Sequence, residues 1–445
     1  MNKHFLKLLF LSLLISAPAL GQTTAKQWTL DDCIEYALAN NISLQKTILQ
    51  RQSAKEDVLQ SRSALLPSLD FSMNHNVSYS PWQDAGKSTV ANGYVESSVD
   101  KVYYNGSYSV GASWTVWNGN KNRNTVKLNK LTERQAELDS AETALTIEEQ
   151  VVQLYIQILY SSDAIEVNKA SLEASKKNEE RGKAMLDVGS MSKADVAQLT
   201  AQRAQDEYNV VAAESALRNY KRQLKQLLEI TETDEFDVAV PETSDEQALQ
   251  LIPNLADVYA IALNNRPEIK NNMLAIESSD LSIKIAKAGR MPTIALSASV
   301  GTNSTTMSST AWGSQLKTNF DAAAGLSFSL PLFDNRSTRT SINKARIERQ
   351  TSMLELRETE KNLYSTIESY WLDAVSNQNM YIAAKASVES EQQSYDLLSE
   401  QFSLGLKNIA ELLTGKASLL SAQQSMLQSK YVTIMNIKML ELYQR

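Results

Sequence analysis

Few residues in this chain are equipped for bond-making chemistry. The two histidines are His4 and His75, and Cys33 is the single cysteine. A Ser-His-Asp or Cys-His arrangement would have to use His75, which lies in an alternating polar and apolar run. A Cys/His zinc site has too few ligands. Cys33, in WTLDDCIEYAL, reads as a small buried apolar residue. The carboxylate pairs Glu148/Glu149 and Glu179/Glu180 are adjacent on helices, face different directions and read as solvated helix faces. What remains is electrostatic. Two glycine turns, VGSMSKADV (188–196) and LGLKNIAEL (404–412), each carry a carboxylate six residues after the glycine: Asp195 after Gly189, and Glu411 after Gly405. Early in a helix such groups cap the N-terminus, where an anion is favoured. The chain therefore reads as no enzyme, with no cofactor and no metal site.

The turns belong to a chain built twice. Gly405 follows Gly189 by 216 residues, and the surroundings align in order. WTLDDCIEYALANNISLQ (28–45) pairs with PNLADVYAIALNNRPEIK (253–270), LLPSLDFSM (65–73) with RMPTIALSA (290–298), and SWTVWNGNKNR (113–123) with SLPLFDNRSTR (329–339). Trp117 to Gly189 and Phe333 to Gly405 both span 72 residues, a spacing that keeps the two copies level. Each unit reads as helix, helix, strand, strand, long helix, glycine turn, helix. The first repeat is placed at 22–228, with strands at about 68–79 and 104–117 and a helical hairpin at about 119–228. A linker segment follows at 229–255. The second repeat is placed at 256–445, with strands at about 292–302 and 320–332 and a hairpin at about 336–443. Residues 1–21, with Lys3, Lys7, an apolar run from Leu8 to Ile15 and small residues at Ala17, Ala19 and Gly21, read as a cleaved signal peptide. That run is shorter than the ~20 residues of a spanning helix. A net charge of −7 with mixed signs gives no basic field for nucleic acid.

The strands rest on period-two alternation: Leu69, Phe71, Met73, His75, Val77 and Tyr79 share one face, and Tyr108, Val110, Ala112, Trp114 and Val116 another. Ile294, Leu296, Ala298 and Val300 alternate in the second copy, as do Ala322, Ala324, Leu326, Phe328 and Leu330. The opposite faces are small and polar. Tyr79, Trp82, Tyr104, Trp114, Trp117 and Trp312 gather at or near strand ends, as in an aromatic girdle. Four strands cannot close a spanning barrel, which starts at about 8, so several chains would have to share one. From Asn120 to Asp187 the helix would run about 100 Å if unbroken. Leu131, Leu138, Leu145, Val152 and Leu159 recur in it every seven residues, a coiled-coil seam.

With these features together the chain resembles the TolC-type outer-membrane efflux protein family. The resemblance rests on the duplication, the TLxxxxxxALxxN motif at Thr29 to Asn40, LPSL at Leu66 to Leu69, and the G-x5-[DE] turns at Gly189/Asp195 and Gly405/Glu411. It implies an α+β membrane protein in which three protomers give four strands each to a twelve-stranded outer-membrane β-barrel. Their helices continue as an α-barrel into the periplasm, and 229–255 joins an equatorial region. It implies a passive conduit of a tripartite efflux or type I secretion system, in outer-membrane lipid. An inner-membrane pump supplies the energy, and a periplasmic adaptor docks on the hairpin turns at Gly189, Ser190, Gly405 and Leu406. The resemblance also assigns Glu411 and Thr414 to a constriction of the periplasmic entrance, where threonine departs from the family's second carboxylate. Lys407, Phe402 and Asp195 would form a latch at the tips, with Phe402 lacking the usual hydroxyl. The competing reading is a periplasmic coiled-coil scaffold or adhesin that never spans the membrane. One retained histidine and scattered methionines rank metal export below small-molecule or protein export.

Overall fold

The structure is a computed structural model that describes residues 27–79, 81–82, 86–90, 93–97, 101–231, 236–239 and 244–445. The signal peptide read at 1–21 lies outside the described residues, as do parts of the loop 80–101 and of the linker 229–255. In chain order the elements begin with β1 (Gln27–Trp28), α1 (Leu30–Asn40), α2 (Ile42–Ser63), β2 (Ser68–Tyr79), β3 (Gly86–Val90), β4 (Gly93–Ser97) and β5 (Val102–Trp117). Then come α3 (Lys121–Asp187), α4 (Lys193–Leu227), β6 (Asp237–Val238) and α5 (Ser244–Ala248). The second half has α6 (Leu255–Asn265), α7 (Pro267–Ala288), β7 (Thr293–Thr305), α8 (Trp312–Thr318), β8 (Asp321–Ser329), α9 (Ser337–Ser403) and α10 (Ile409–Tyr443).

The duplication reaches the length of each helix. α1 and α6 have 11 residues each, α2 and α7 have 22, α3 and α9 have 67, and α4 and α10 have 35. Equal lengths follow from equal stop signals. At each tip the long helix ends in a glycine with left-handed backbone, Gly189 at φ 75° and Gly405 at φ 73°. Gly189 N–H donates to Leu186 O at 2.9 Å and Ser190 N–H to Met185 O at 2.8 Å; Gly405 and Leu406 repeat the pattern on Phe402 and Gln401 at 3.0 and 2.9 Å. These are paired Schellman closures, which satisfy carbonyls that a helix end leaves bare. The strand-to-helix turns also match: Gly119 and Asn120 have positive φ, and so do Asn335 and Arg336 at the corresponding places.

Two compact units divide the chain. One takes in the chain up to Asn41, Ile147–Ile252 and Leu372–Met439; the other takes in Ile42–Thr146, Pro253–Trp371 and Leu440–Arg445. The first has its core along α3 and α4, with Val151, Ile158, Leu199, Leu224 and Leu228 fully buried, and Cys33 and Ala37 of α1 at zero exposure. Val152 and Leu159 of the α3 seam are buried here, whereas Leu131, Leu138 and Leu145 are half-buried in the other unit. In the linker segment, β6 pairs in parallel with β1, and the Tyr155 hydroxyl donates to Ala239 O at 2.5 Å. α5 is held by Asp245, which accepts from Lys430 at 2.7 Å.

The second unit contains a four-stranded antiparallel sheet in the order β2-β5-β7-β8. Its register carries one chemical character across each face. Phe71 lies opposite Val110, Val110 opposite Val300, and Val300 opposite Ala322; Trp114, Leu296 and Leu326 form another such row. The other face aligns Ser72, Ser109, Gly301 and Asp321, with a 2.7 Å hydrogen bond between Ser72 and Ser109. β7 runs to Thr305, past the 302 read from alternation, because α8 supplies Gln315: Thr305 N–H donates to its Oε1 at 2.8 Å, and its Nε2 donates back to Thr305 O at 3.0 Å. β8 stops at Ser329, two residues before Pro331, which has no N–H to donate. The small hairpin β3–β4 and helix α8 fill loops that alternation left without structure. Trp312 sits at the start of α8, edge-on to Tyr108 at 6.5 Å, and not at a strand end.

Because nothing lies within 4 Å of a Cβ added at Gly189 or Gly405, the cost of alanine there is purely that of the left-handed backbone. Gly405→Ala is expected to cost about 1–2 kcal/mol. Glu229, which occupies the same kind of helix-end position at φ 58°, should gain a similar amount as Glu229→Gly, less the added freedom of the unfolded chain. Denaturant unfolding of the purified protein in detergent measures both.

Candidate functional site

The sheet and the two hairpin tips carry the residues that the sequence singled out. On the sheet, Leu69, Phe71, Met73, Val77 and Tyr79 of β2 are all more than half exposed, as are Leu326 and Phe328 of β8. An apolar face of this extent cannot rest in water, so it needs a cover. Tyr79, Trp82, Tyr104 and Trp114 are exposed, Trp117 is half-buried, and the Trp114 indole donates to Leu65 O at 2.9 Å. His75 belongs to the same face, where Tyr108 meets its Nε2 at 3.2 Å; it has no nucleophile or carboxylate among its printed partners. On the polar face the only charged side chains of the four strands are Asp70 and Asp321, both acidic. Strands β2 and β8 end the sheet with their outer edges unpaired among the described residues.

At the tips Asp195 and Glu411 hold equivalent places as helix caps. Ser192 Oγ accepts from Asp195 N–H at 3.1 Å while Asp195 accepts from Ser192 N–H at 3.3 Å. Asn408 Oδ1 accepts from Glu411 N–H at 2.9 Å, and Glu411 accepts from Asn408 N–H at 3.2 Å. Each is a reciprocal capping box, worth a carboxylate near the positive end of a helix dipole. Lys407 donates to Glu411 at 2.6 Å, and that bond, ahead of the Asn408 N–H, holds the Glu411 carboxyl below the usual carboxylate range. Within the protomer the structure thus does not bring Lys407 to Asp195; each is engaged in its own turn. Phe402 is not at a surface latch either. It is 2% exposed, in a cluster with Leu199, Tyr395, Leu412 and Leu419. Thr414 is exposed one turn beyond Glu411. Val188, Leu404 and Leu406 put bare aliphatic side chains on the two turns beside Gly189, Ser190 and Gly405.

One sequence reading needs correction. Glu179 is no solvated carboxylate: it is 6% exposed. Lys183 and Arg203 each reach it at 2.8 Å and the Thr200 hydroxyl at 2.9 Å, tying α3 to α4. The Lys183 hydrogen bond is the largest cause of its lowered pKa.

Sequence reasoning also missed a group directly above the Phe402 cluster. Lys416 of α10 donates to both Asp206 of α4 and Ser175 of α3, and all three are nearly fully buried. The Ser175 hydroxyl donates to Asp206 at 2.5 Å and Gln202 Nε2 at 3.1 Å, so both carboxylate oxygens are satisfied. Burial is the largest effect on Lys416 and pushes its pKa down, against the pull of Asp206. The sequence signal was a charge inside an apolar stripe: Lys416 lies between Leu412 and Leu419, and Asp206 between Leu199 and Val210.

Among the described residues no cluster of His, Cys, Asp or Glu could hold a metal, and no helix is long and apolar enough to cross a membrane. A sheet with one lipid-compatible face, in a chain whose long helices turn on capped tips, defines a channel-forming protein of the outer-membrane class. The profile described as outer membrane efflux protein matches residues 33–229 and 258–437, and the chain belongs to that family. It is similar to outer membrane protein TolC of Escherichia coli strain K12, 23% identical over 90% of this chain and 79% of that protein. Among solved structures it is similar to CusC, with a TM-score of 0.78 at 17% identity over 93% of this chain and 91% of that one. It is also similar to the CmeC outer membrane channel of Campylobacter jejuni, with a TM-score of 0.77 at 17% identity over 93% and 85%. The protein is an efflux channel of the bacterial outer membrane.

Proposed function

We propose that three copies of this chain close a single twelve-stranded β-barrel, continued by an α-barrel of their helices into the periplasm, as the passive exit duct of a tripartite efflux or type I secretion system. The observation that carries the reading is the four-stranded sheet with one apolar face and two unpaired edges. In hydrocarbon a bare edge leaves N–H and C=O groups unsatisfied. Four strands are too few to close, and three sheets of four reach the size of known barrels. In this reading the mature chain begins after residue 21, the repeats 22–228 and 256–445 flank the linker 229–255, and the aromatic side chains line the membrane interfaces. A periplasmic adaptor docks on the exposed Val188, Leu404 and Leu406 of the turns, and an inner-membrane pump supplies the energy. The absence of a ligand cluster among the described residues favours small-molecule or protein cargo over metal ions.

The duct reading predicts opposite outcomes for neighbouring residues of β7. Val300→Arg, on the apolar face, should cost about 2–4 kcal/mol if it lies near the bilayer midplane and abolish a trimer band that survives SDS without boiling. Ser299→Arg, on the polar face, should leave that band and the outer-membrane fraction intact. Equal behaviour of the two variants would favour the periplasmic scaffold.

At the entrance, three Glu411 carboxylates form one acidic ring, and Thr414 supplies no second. Lys407 then latches the closed entrance by leaving Glu411 for Asp195, while Phe402 only supports the turn from its core. The pH dependence has a defined sign. With its pKa depressed, Glu411 keeps its charge as pH falls through the usual carboxylate value of about 4.3. Cation selectivity, and whatever stability the Lys407 pair contributes, are complete above that value and vanish only below the depressed pKa. Planar-bilayer recordings test both parts: Glu411→Gln should reduce cation selectivity at every pH above that pKa, and Asp195→Ala with Lys407→Ala should raise single-channel conductance. Unchanged selectivity removes the ring, and unchanged conductance removes the latch.

A further inference from the structure

The buried charge pair above the tips is placed differently from every other ion pair in the first unit. The pairs at the turns and along the helix surfaces are half exposed, such as Lys407 with Glu411, where the side chains are 36% and 40% exposed. Pairs of that kind exchange readily with water and hold little. Lys416 and Asp206 have side chains 5% and 1% exposed, and they join α10 of the second hairpin to α4 of the first, with Ser175 adding α3. The fourth helix is tied at a nearby level: Asn178 of α3 donates to the Tyr395 hydroxyl of α9 at 3.1 Å, and both are buried.

The pair also breaks the internal repeat. At the 216-residue offset, Lys416 corresponds to Thr200 and Asp206 to Ala422. Thr200 serves Glu179 inside the first hairpin, so the duplication would not have produced this bond, and it occurs once per protomer. Next to it the repeat is broken a second time, in a complementary sense. In the first hairpin Gly182 of α3 faces Leu199 of α4, and in the second Leu398 of α9 faces Gly415 of α10. Gly182 corresponds to Leu398 and Leu199 to Gly415. Each hairpin therefore closes tightly on itself with a leucine in a glycine notch, and the charged pair then fastens one hairpin to the other.

We propose that Lys416, with Asp206 and Ser175, locks the two hairpins of a protomer into one four-helix body, so that the entrance opens by movement between protomers and not by the parting of hairpins within one. This rests on the trimeric duct reading for what the motion does, but the lock itself is a property of one protomer. Parting the hairpins would separate an ammonium and a carboxylate inside a medium where neither has water to replace its partner, the costliest way to break an ion pair. The turns can rearrange below it, since Lys407, Glu411 and Asp195 are bonded only within their own hairpins. Lys416 acts as a positioning residue: it touches no cargo and sets which surfaces can slide.

Spin labels at Val188→Cys and Leu404→Cys, equivalent exposed positions on the two turns, report the lock directly; Cys33 is fully buried and takes no label. In trimers diluted to one labelled protomer, pulsed dipolar spectroscopy is expected to give one narrow distance. Lys416→Met and Asp206→Asn should each broaden it and raise single-channel conductance at least twofold, with the SDS-resistant trimer retained, and Lys416→Arg should restore the narrow distribution. A role confined to stability would lower the melting temperature and leave distance and conductance unmoved, which would overturn the lock. Should the variants fail to fold, hydrogen exchange on the unsubstituted protein decides: amides of 412–420 and 202–210 should exchange within about threefold of one another, because they open together. Exchange more than tenfold faster in 412–420 would mean that the second hairpin parts alone, and would overturn the proposal. Loss of the trimer band without any change in the label distance would count against the duct reading and leave the lock standing.

Discussion

A β-strand at the edge of a sheet carries a row of N–H and C=O groups that must find partners, and hydrocarbon offers none. In this protein that constraint falls on β2 and β8, the outer strands of a sheet whose rows of Phe71, Val110, Val300 and Ala322 make one continuous apolar face. The face asks for lipid, and lipid forbids the edges. Closure with further copies meets both demands, and the rest of the chain is consistent with it. The other face is small and hydroxylated, as a water-filled interior requires. Equal helices of 67 and 35 residues hang from the two strand pairs, so that neighbouring units can stay level around a shared axis.

Duplication supplies this levelling, and departures from it supply specificity. The features that repeat are those imposed by backbone geometry: the left-handed turns at Gly119–Asn120 and Asn335–Arg336, the Schellman closures at Gly189 and Gly405, and the capping boxes at Asp195 and Glu411. They recur because each solves the same problem of starting or ending a helix. The features that differ are packing contacts between helices. The glycine notch changes sides between Gly182/Leu199 and Leu398/Gly415, and Lys416 with Asp206 replaces a threonine and an alanine. The two hairpins of one protomer face different neighbours, so identical surfaces could not serve both.

At the tips the same carboxylates answer two demands. Asp195 and Glu411 cap helices whatever else they do, which is why their role in the channel cannot be inferred from their position early in a helix alone. What distinguishes Glu411 is Lys407, one turn away and bonded to it at 2.6 Å, which keeps the carboxylate ionised into acid. Phe402 and Glu179 show the converse. Their neighbours along the chain are polar, yet both are buried, Phe402 by leucines of three helices and Glu179 by a lysine, an arginine and a threonine.

The sequence by itself determined the family, the outer-membrane channel function and the local chemistry of the turns, because these reside in short-range patterns: period-two alternation, glycine at helix ends, a carboxylate three residues after each cap, and an order of motifs repeated at fixed offset. The tertiary structure alone decided which side chains meet across helices. Lys407 went to Glu411 and not to Asp195, Phe402 went into a core, Trp312 into α8, and Lys416 found Asp206 and Ser175 at separations of 210 and 241 residues. Such pairings depend on helix rotation and on the offset of one hairpin against another, to within a fraction of a turn. A rotation of 100° per residue converts a one-residue uncertainty in register into a different partner, so no reading of periodicity along a single helix could have fixed them.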